Sequence, residues 1–393
     1  MNLTPVRIVE YLMMFVVLFY TISILFLFVK NRKRFHQANP KYSDWEPKVS
    51  IVVPAYNEEE YVGRMIQSIL DADYPKDRLE LIVVDDGSTD DTAKVVRSFK
   101  DKRVVLLQKE NSGNAAIAKN YGIQRAKGEI IFTLDADSWI TKDAIRKVLS
   151  HFDDDVAAVT AAVKVQPKEK MSFLENLQHV EYMFTIFNRR IFSFINGVWV
   201  TPGPFSAFRR GLFDEIGVFD PKNIMEDQEM ALRIQSANYR IASSTDATVY
   251  TAVPNDLKSF YRQRLRWNRG GIRNILSYNF LTHYKYGDFG AFIMPISLAS
   301  IGLLFAVLLI VSVSLKAFSP LNFDVLLTIE PIHLFSAAVI ALTALWTWIA
   351  LKEMDASIDA PLVIAYMFIY SYLISFFTII ALVKEIKGDD TKW

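Results

Sequence analysis

What most limits the fold of this chain is where charge is missing. No Asp, Glu, Lys or Arg occurs between Glu10 and Lys30, Asp288 and Lys316, Glu330 and Lys352, or Asp359 and Lys384. Each interval is rich in Leu, Ile, Phe and Val. At about 1.5 Å per helical residue, each can cover a hydrocarbon core ~30 Å thick. The expectation is four transmembrane helices, one before and three after a polar middle. The first is not a cleaved signal peptide. Its apolar run is too long, it lacks a small-residue cleavage site, and Lys30-Asn31-Arg32-Lys33-Arg34 follows at once. That basic cluster belongs on the cytoplasmic side. The N-terminus is then outside, the middle is cytosolic, and the chain is a multi-pass protein of the cell membrane. The last three helices are oriented only by counting, and Pro295 kinks the first of them.

The polar middle has a different rhythm. Residues 48–54 form an apolar strand ending at Pro54-Ala55-Tyr56-Asn57-Glu58. A helix follows, with Val62, Met65, Ile66, Ile69 and Leu70 on one face. A second strand, 79–84, ends at Asp85-Asp86-Gly87-Ser88, and Asp90 or Asp91 can cap the helix starting near Thr92. A third strand at 104–107, a helix at 113–127 and a fourth strand at 130–134 complete the alternation. Strands alternating with helices predict a parallel, doubly wound α/β sheet. No G-x-G-x-x-G follows the first strand and no Walker lysine motif occurs, which removes the commonest nucleotide sites. A net charge of +1 gives no global pull toward nucleic acid. The absence of cysteine excludes disulfides, thiolate metal sites and a cysteine nucleophile.

The fourth strand ends in Asp135-Ala136-Asp137. Side chains alternate across a strand, so both carboxylates share a face where the sheet stops. Ligands of open α/β sheets bind at that edge. Two hard oxygen ligands there suit Mg²⁺ or Mn²⁺ held jointly with substrate phosphates; an acidic loop is the plainer reading. Tyr56 can stack on a base, and Asp85 or Asp86 can accept a hydrogen bond from a uracil N–H, although Asp-Asp-Gly is also an ordinary turn.

Further along, Phe173, Leu177, Val180, Phe184, Phe187, Ile191 and Phe194 recur at helical spacing, opposite Glu175, Gln178, Arg189 and Arg190. This amphipathic helix either packs on the sheet or, as its Phe content favours, lies in the bilayer interface. Pro202-Gly203-Pro204 forces irregular backbone and permits close ligand approach. Glu226 and Asp227 open a helix, where carboxylates are stabilised as anions; read locally, they cap it. Arg262, Arg266, Arg269 and Arg273 form one cationic stripe, with Gln263 and Trp267 beside it. The stripe can hold diphosphate or touch anionic headgroups, and some arginines can face lipid while Arg266 faces a site.

Together, Pro54-Ala55-Tyr56-Asn57-Glu58, Asp85-Asp86-Gly87-Ser88, Asp135-Ala136-Asp137, Glu226-Asp227 and Gln263-x-x-Arg266-Trp267, in that order, resemble the membrane-integrated, processive family-2 glycosyltransferases. Cellulose, hyaluronan, chitin and poly-N-acetylglucosamine synthases are of this kind. The resemblance implies a glycosyltransferase A-type fold and a UDP-sugar donor. Three regions follow: 1–47, a transmembrane helix and basic linker; 48–286, a cytosolic glycosyltransferase domain with interface helices; and 287–393, three transmembrane helices. By resemblance, Tyr56, Glu58 and Asp85/Asp86 hold the nucleoside, and Asp135 and Asp137 serve donor and metal. Asp227 is the general base. Arg266 contacts the diphosphate, Gln263 and Trp267 the acceptor end, and Ser206 with its neighbours lines the acceptor site.

The chain also departs from the family. Gly113-Asn114 stands where a Gly-Lys-type pair is common, leaving Lys109 or Lys119 to contact the donor phosphates, and Met225 stands where many members have Thr. Four spans are fewer than in cellulose synthases, so a polymer pore needs a homo-oligomer or another partner, or does not exist. The implied reaction is inverting transfer from a UDP-sugar to a growing β-linked polysaccharide. The alternatives are single-sugar transfer to a lipid phosphate or membrane-bound acceptor, and a membrane scaffold that binds the nucleotide sugar without catalysis.

Overall fold

The computed structural model describes residues 5–37, 39–42, 44–316, 331–356 and 359–388. The strands are β1 (Val49–Ala55), β2 (Leu79–Asp85), β3 (Val104–Gln108), β4 (Ile130–Thr133), β5 (Trp139–Ile140), β6 (Val156–Val165), β7 (Ser206–Arg209) and β8 (Arg240–Thr251). The helices of the first half are α1 (Pro5–Asn31), α2 (Val62–Leu70), α3 (Thr92–Ser98), α4 (Ala115–Ile123), α5 (Ala144–Leu149) and α6 (Phe173–Ser193). Those of the second half are α7 (Arg210–Ile216), α8 (Glu226–Ser236), α9 (Leu257–Ser277), α10 (Met294–Lys316), α11 (Pro331–Glu353), α12 (Ala360–Ala365) and α13 (Ser371–Lys387).

The strands form one eight-stranded sheet in the order β3-β2-β1-β4-β7-β6-β8-β5. The expected parallel sheet is present in β3-β2-β1-β4. Beyond β4 the sheet is mixed. β7 runs antiparallel to both β4 and β6, while β6 and β8 pair parallel. Of the four expected strands, β1, β2 and β4 are apolar runs covered on both faces, while β3 is a partly exposed edge strand. The β6–β8 region carries Thr and Ser among Ala and Val, and β7 has only four residues.

Two apolar layers flank the sheet. One joins α2 and α5 to the sheet through Met65, Ile66, Ile69, Ile145 and Leu149. The other joins α4, α6 and α8 to Ile24 and Phe28 of α1 and to Trp346 and Ala350 of α11. Close approach matters in α4, where a Cβ on Gly122 would fall 2.4 Å from Val52 Cγ1.

α6 is therefore a sandwiched helix. It packs on β6 and β8 and against α1 and α11. Phe187 sits 5.3 Å from Phe28 and 4.9 Å from Trp346 between ring centroids. The contact with the sheet matches the packed reading of this helix, and its other side meets the apolar helices α1 and α11. Part of its polar side is met by fixed groups of the protein. Arg190 donates to the carbonyls of Arg34, Phe35, Gln37 and Ser243, pinning the basic linker after α1 to the sheet. Ser172 and Glu175 close a reciprocal capping box at the helix start.

Among the described residues, two helical segments are long and apolar enough to cross a membrane, Tyr11–Arg34 and Ala360–Lys387. Phe289–Phe305 is a shorter apolar helix. The second and third expected spans coincide with helices α10 and α11, which are not among those two segments.

Candidate active site

A cavity of about 830 Å³ opens where β1, β2 and β4 end. Its walls come from segments far apart in sequence. Tyr56 and Glu58 follow β1, Asp86 follows β2, and Asp135 and Asp137 follow β4. Lys119 of α4 and the Pro202-Gly203-Pro204 loop close one side. Glu226 and Asp227 enter from the first turn of α8, and Gln263, Arg264, Arg266 and Trp267 from α9. Glu181, Tyr182, Thr185 and Arg189 of α6 complete it.

Two of the residues expected at the site are placed elsewhere. Asp85 is buried and outside the lining. Its carboxylate accepts from the Ser88 backbone N–H at 2.9 Å and from Gln108 Nε2 at 2.9 Å, so it shapes the turn. Ser206, on β7, is also outside the lining and donates to the Pro202 carbonyl at 2.6 Å. Consecutive residues leaving a strand point to opposite sides, which is why only Asp86 of the Asp85-Asp86 pair faces the cavity. Asp86 is held by Lys109 Nζ at 2.5 Å and by Ser112 Oγ at 2.8–2.9 Å.

The irregular Pro-Gly-Pro backbone does approach a functional group closely, and that group belongs to the protein. A Cβ on Gly203 would lie 2.9 Å from Asp135 Oδ2. Asp137 accepts from Ser138 Oγ at 3.1 Å and more loosely from Thr251 Oγ1 at 3.5 Å. Burial, then the Asp135 charge, pushes the Asp137 pKa up to about 6. Burial also raises Asp135, against the pull of Lys119. Glu58 rises to about 7, from burial first and then from Asp137 and Asp135. Three carboxylates thus repel one another across one space, a tension that a divalent cation relieves. Among the described residues no preformed cluster of three or more His, Asp or Glu is arranged as a metal cage. Asp135 and Asp137 therefore fit a cation whose remaining ligands come from phosphate and water, the manner of Mg²⁺.

Lys119, one of the two lysines expected near the donor phosphates, lines the cavity. It is buried and pairs with Glu226 at 2.9 Å. The Glu226 carboxyl is correspondingly held below its ordinary range, the Lys119 charge overcoming burial. Asp227 rises to about 6 through burial and then the Glu226 charge, moderated by Lys119. Its Oδ1 accepts from the Gln228 backbone N–H at 2.8 Å, and its own carbonyl accepts from Thr201 Oγ1 at 2.8 Å. Of the two lysines weighed for the donor phosphates, Lys109 is held on Asp86 and Lys119 on Glu226.

The arginines of α9 divide. Arg266 faces the cavity. Arg269 and Arg273 both pair with Glu385 of α13, so they grip the C-terminal helix where lipid headgroups were one expectation. Arg264, outside the expected stripe, pairs with Glu181 at 2.5 Å and meets Tyr370 Oη at 3.0 Å. Its guanidinium lies 4.4 Å from the Trp267 ring centre, fixing the indole.

A second cavity, about 580 Å³, shares Met225 and Trp267 with the first. It is walled by Val16, Val17 and Tyr20 of α1 and by apolar residues of α9 and α10.

Residues 50–217 match the family model described as "Glycosyl transferase family 2". These residues form a family-2 glycosyl transferase domain. The chain is 31% identical over 241 residues to a probable glycosyltransferase, YdaM, of Bacillus subtilis, covering 59% of this chain and 57% of that protein. It is 30% identical over 262 residues to a poly-β-1,6-N-acetyl-D-glucosamine synthase of Staphylococcus epidermidis, covering 65% of this chain and 62% of that protein. The chain thus spans about three fifths of the length of these relatives. The fold of the glycosyl transferase domain and its helices is similar to that of a mannosyltransferase of Pyrobaculum calidifontis, solved with GDP-Man and Mn²⁺. That match has a TM-score of 0.61 at 20% identity, over 97% of this chain and 100% of the other.

Proposed function

We propose that the chain is an inverting, metal-dependent hexosyltransferase that moves a sugar from a UDP-sugar to the end of a growing β-linked polysaccharide at the inner membrane face. One observation carries the reading. Asp227, Asp135, Asp137, Arg266 and Trp267 converge on a single cavity. The similarity to a poly-β-1,6-N-acetyl-D-glucosamine synthase supports the polymer product. The regions 1–47, 48–286 and 287–393 are then a membrane anchor with its linker, the catalytic domain, and a membrane domain.

The reaction is one displacement. Asp227 takes the proton of the acceptor hydroxyl, whose oxygen bonds to the anomeric carbon as the bond from that carbon to UDP breaks. A pKa near 6 leaves Asp227 ionised at neutral pH yet basic enough to accept a proton, the range a general base needs. Tyr56 stacks on the uracil and Asp86 accepts from its N–H, while Glu58 adds a further donor contact. Arg266 meets the diphosphate with its guanidinium. Asp135 and Asp137 would hold Mg²⁺ or Mn²⁺, which neutralises the departing diphosphate. Trp267 and Gln263 receive the acceptor end.

The second cavity favours one other reading. Its apolar walls touch the site at Trp267 and Met225, which suits transfer of a single sugar to a lipid-linked acceptor. A donor screen on the purified full chain, reading UDP release with Mg²⁺ and with Mn²⁺ and product length on a gel, tests both. A ladder of long products supports the polymer; one added sugar on a lipid supports the alternative. No UDP release from any donor and acceptor mixture refutes catalysis.

A further inference from the structure

The wall that α6 presents to the cavity is a stripe of Glu181, Tyr182, Thr185, Ile186 and Arg189, spaced as one helical face requires. Neighbouring arginines all have work within the protein. Arg190 serves four backbone carbonyls, and Arg264 is clamped on Glu181 and Tyr370. Arg264 Nε meets no acceptor among the described residues either, but both terminal nitrogens of that guanidinium are held by Glu181; Arg189 differs. Its Nη1 is sealed from solvent and meets no hydrogen-bond acceptor among the described residues. Gln263 Oε1, on another wall of the same cavity, is likewise sealed and unmet. Buried polar atoms without partners are rare, and each calls for an explanation. Here one cavity holds a charged N–H donor and an amide oxygen, both waiting for a complement.

The charges around Arg189 fix its protonation state. Burial lowers its pKa to about 10, and the opposing influences are Asp227 first and then Tyr182. It remains a cation at neutral pH and shares the cavity with Asp227. The groups assigned to the nucleoside, Tyr56 and Asp86, project from the strand ends instead.

We propose that Arg189 is a positioning residue of the acceptor subsite, donating from Nη1 to a hydroxyl or carbonyl oxygen of the acceptor sugar and so aiming the reacting hydroxyl at Asp227. Gln263 Oε1 accepts from an O–H or N–H of the same sugar. The proposal rests on the reading of Asp227 as general base. Holding a reactant in register is worth as much as the chemistry, since a misplacement of about 1 Å can cost ~10²-fold.

The test uses the full chain in detergent with UDP-N-acetylglucosamine as donor and an N-acetylglucosamine oligomer as acceptor, comparing wild type, Arg189→Met, Arg189→Lys and Asp227→Asn. Sugar transfer and acceptor-free hydrolysis of the donor are read separately. Arg189→Met should lower kcat/KM for the acceptor by roughly 10²-fold, leave the donor KM within twofold, and lower donor hydrolysis far less than transfer. Arg189→Lys should fall between it and wild type, and it carries the test if the Met variant does not fold. Transfer at the wild-type kcat/KM in both variants, or donor hydrolysis falling in step with transfer, overturns the proposal. An Asp227→Asn variant that transfers at the wild-type rate overturns the reading beneath it instead.

Discussion

The buried Lys119–Glu226 pair offers the sharpest test of how the site is held. Lys119 is 3% exposed and its Nζ lies 2.9 Å from Glu226 Oε1. Lys119→Met removes the cation and leaves a buried carboxylate uncompensated, a change that costs about 3–5 kcal/mol. At roughly 2–4 °C per kcal/mol for a domain of this size, the unfolding midpoint should drop by about 10 °C. The same cation lowers the pKa of Asp227, so its loss moves the acid limb of the pH–rate profile upward from about 6. A one-unit move corresponds to about 1.4 kcal/mol. The sign also reverses for Glu226. Its folded pKa is depressed in the native protein, so the stability it contributes is present above its unfolded pKa and is lost as pH falls through the folded value. In Lys119→Met that pKa rises, and acid should stabilise the variant. Lys119→Met with Glu226→Gln removes both the group that lowers the Asp227 pKa and the group that raises it. The double variant should regain most of the lost stability and return its acid limb toward 6. Differential scanning fluorimetry and a pH series of UDP release on the full chain read both effects. A double variant no more stable than Lys119→Met would refute the reasoning.

Other expected outcomes are smaller in scope. Asp227→Asn should lose at least ~10²-fold in transfer rate at saturating donor, and wild-type kcat/KM should fall about tenfold per pH unit below about 6, both read by UDP release. Asp86→Asn should raise the KM for the UDP-sugar, whereas Asp85→Asn, which loses contacts within the turn, should lower the unfolding midpoint and leave that KM unchanged. Gly203→Ala brings a methyl to 2.9 Å from Asp135 Oδ2; the displaced carboxylate should weaken the Mn²⁺ dependence of UDP release in a metal titration. Gly122→Ala overpacks α4 against Val52 and should cost about 1–3 kcal/mol in stability, measured by the same thermal melt.

Much of this protein was present in local sequence pattern. The apolar runs of β1, β2 and β4 could be read directly, because strands covered on both faces are continuous in hydrophobicity, and the edge strand β3 and the helices between followed from the strand–helix alternation. Asp135 and Asp137 share the cavity for the same local reason, the twofold alternation of a strand that ends there. Of the two capping candidates for α3, Asp90 accepts from the Thr92 backbone N–H at 3.0 Å, a contact across two residues that local sequence announces.

Tertiary structure decided what depends on separation along the chain. Asp85 and Asp86 are adjacent and chemically identical, and only the direction in which the chain leaves β2 sends one to the turn and the other to the cavity. Lys119 and Glu226 are 107 positions apart, with nothing in either neighbourhood that names the other. Arg189 and Arg190 are the same residue type, one turned to the cavity and one to four carbonyls. Periodicity assigns a residue to a face of its own element. Which partner meets that face is set by how the elements pack, and that is fixed by the whole sheet and its covering helices together.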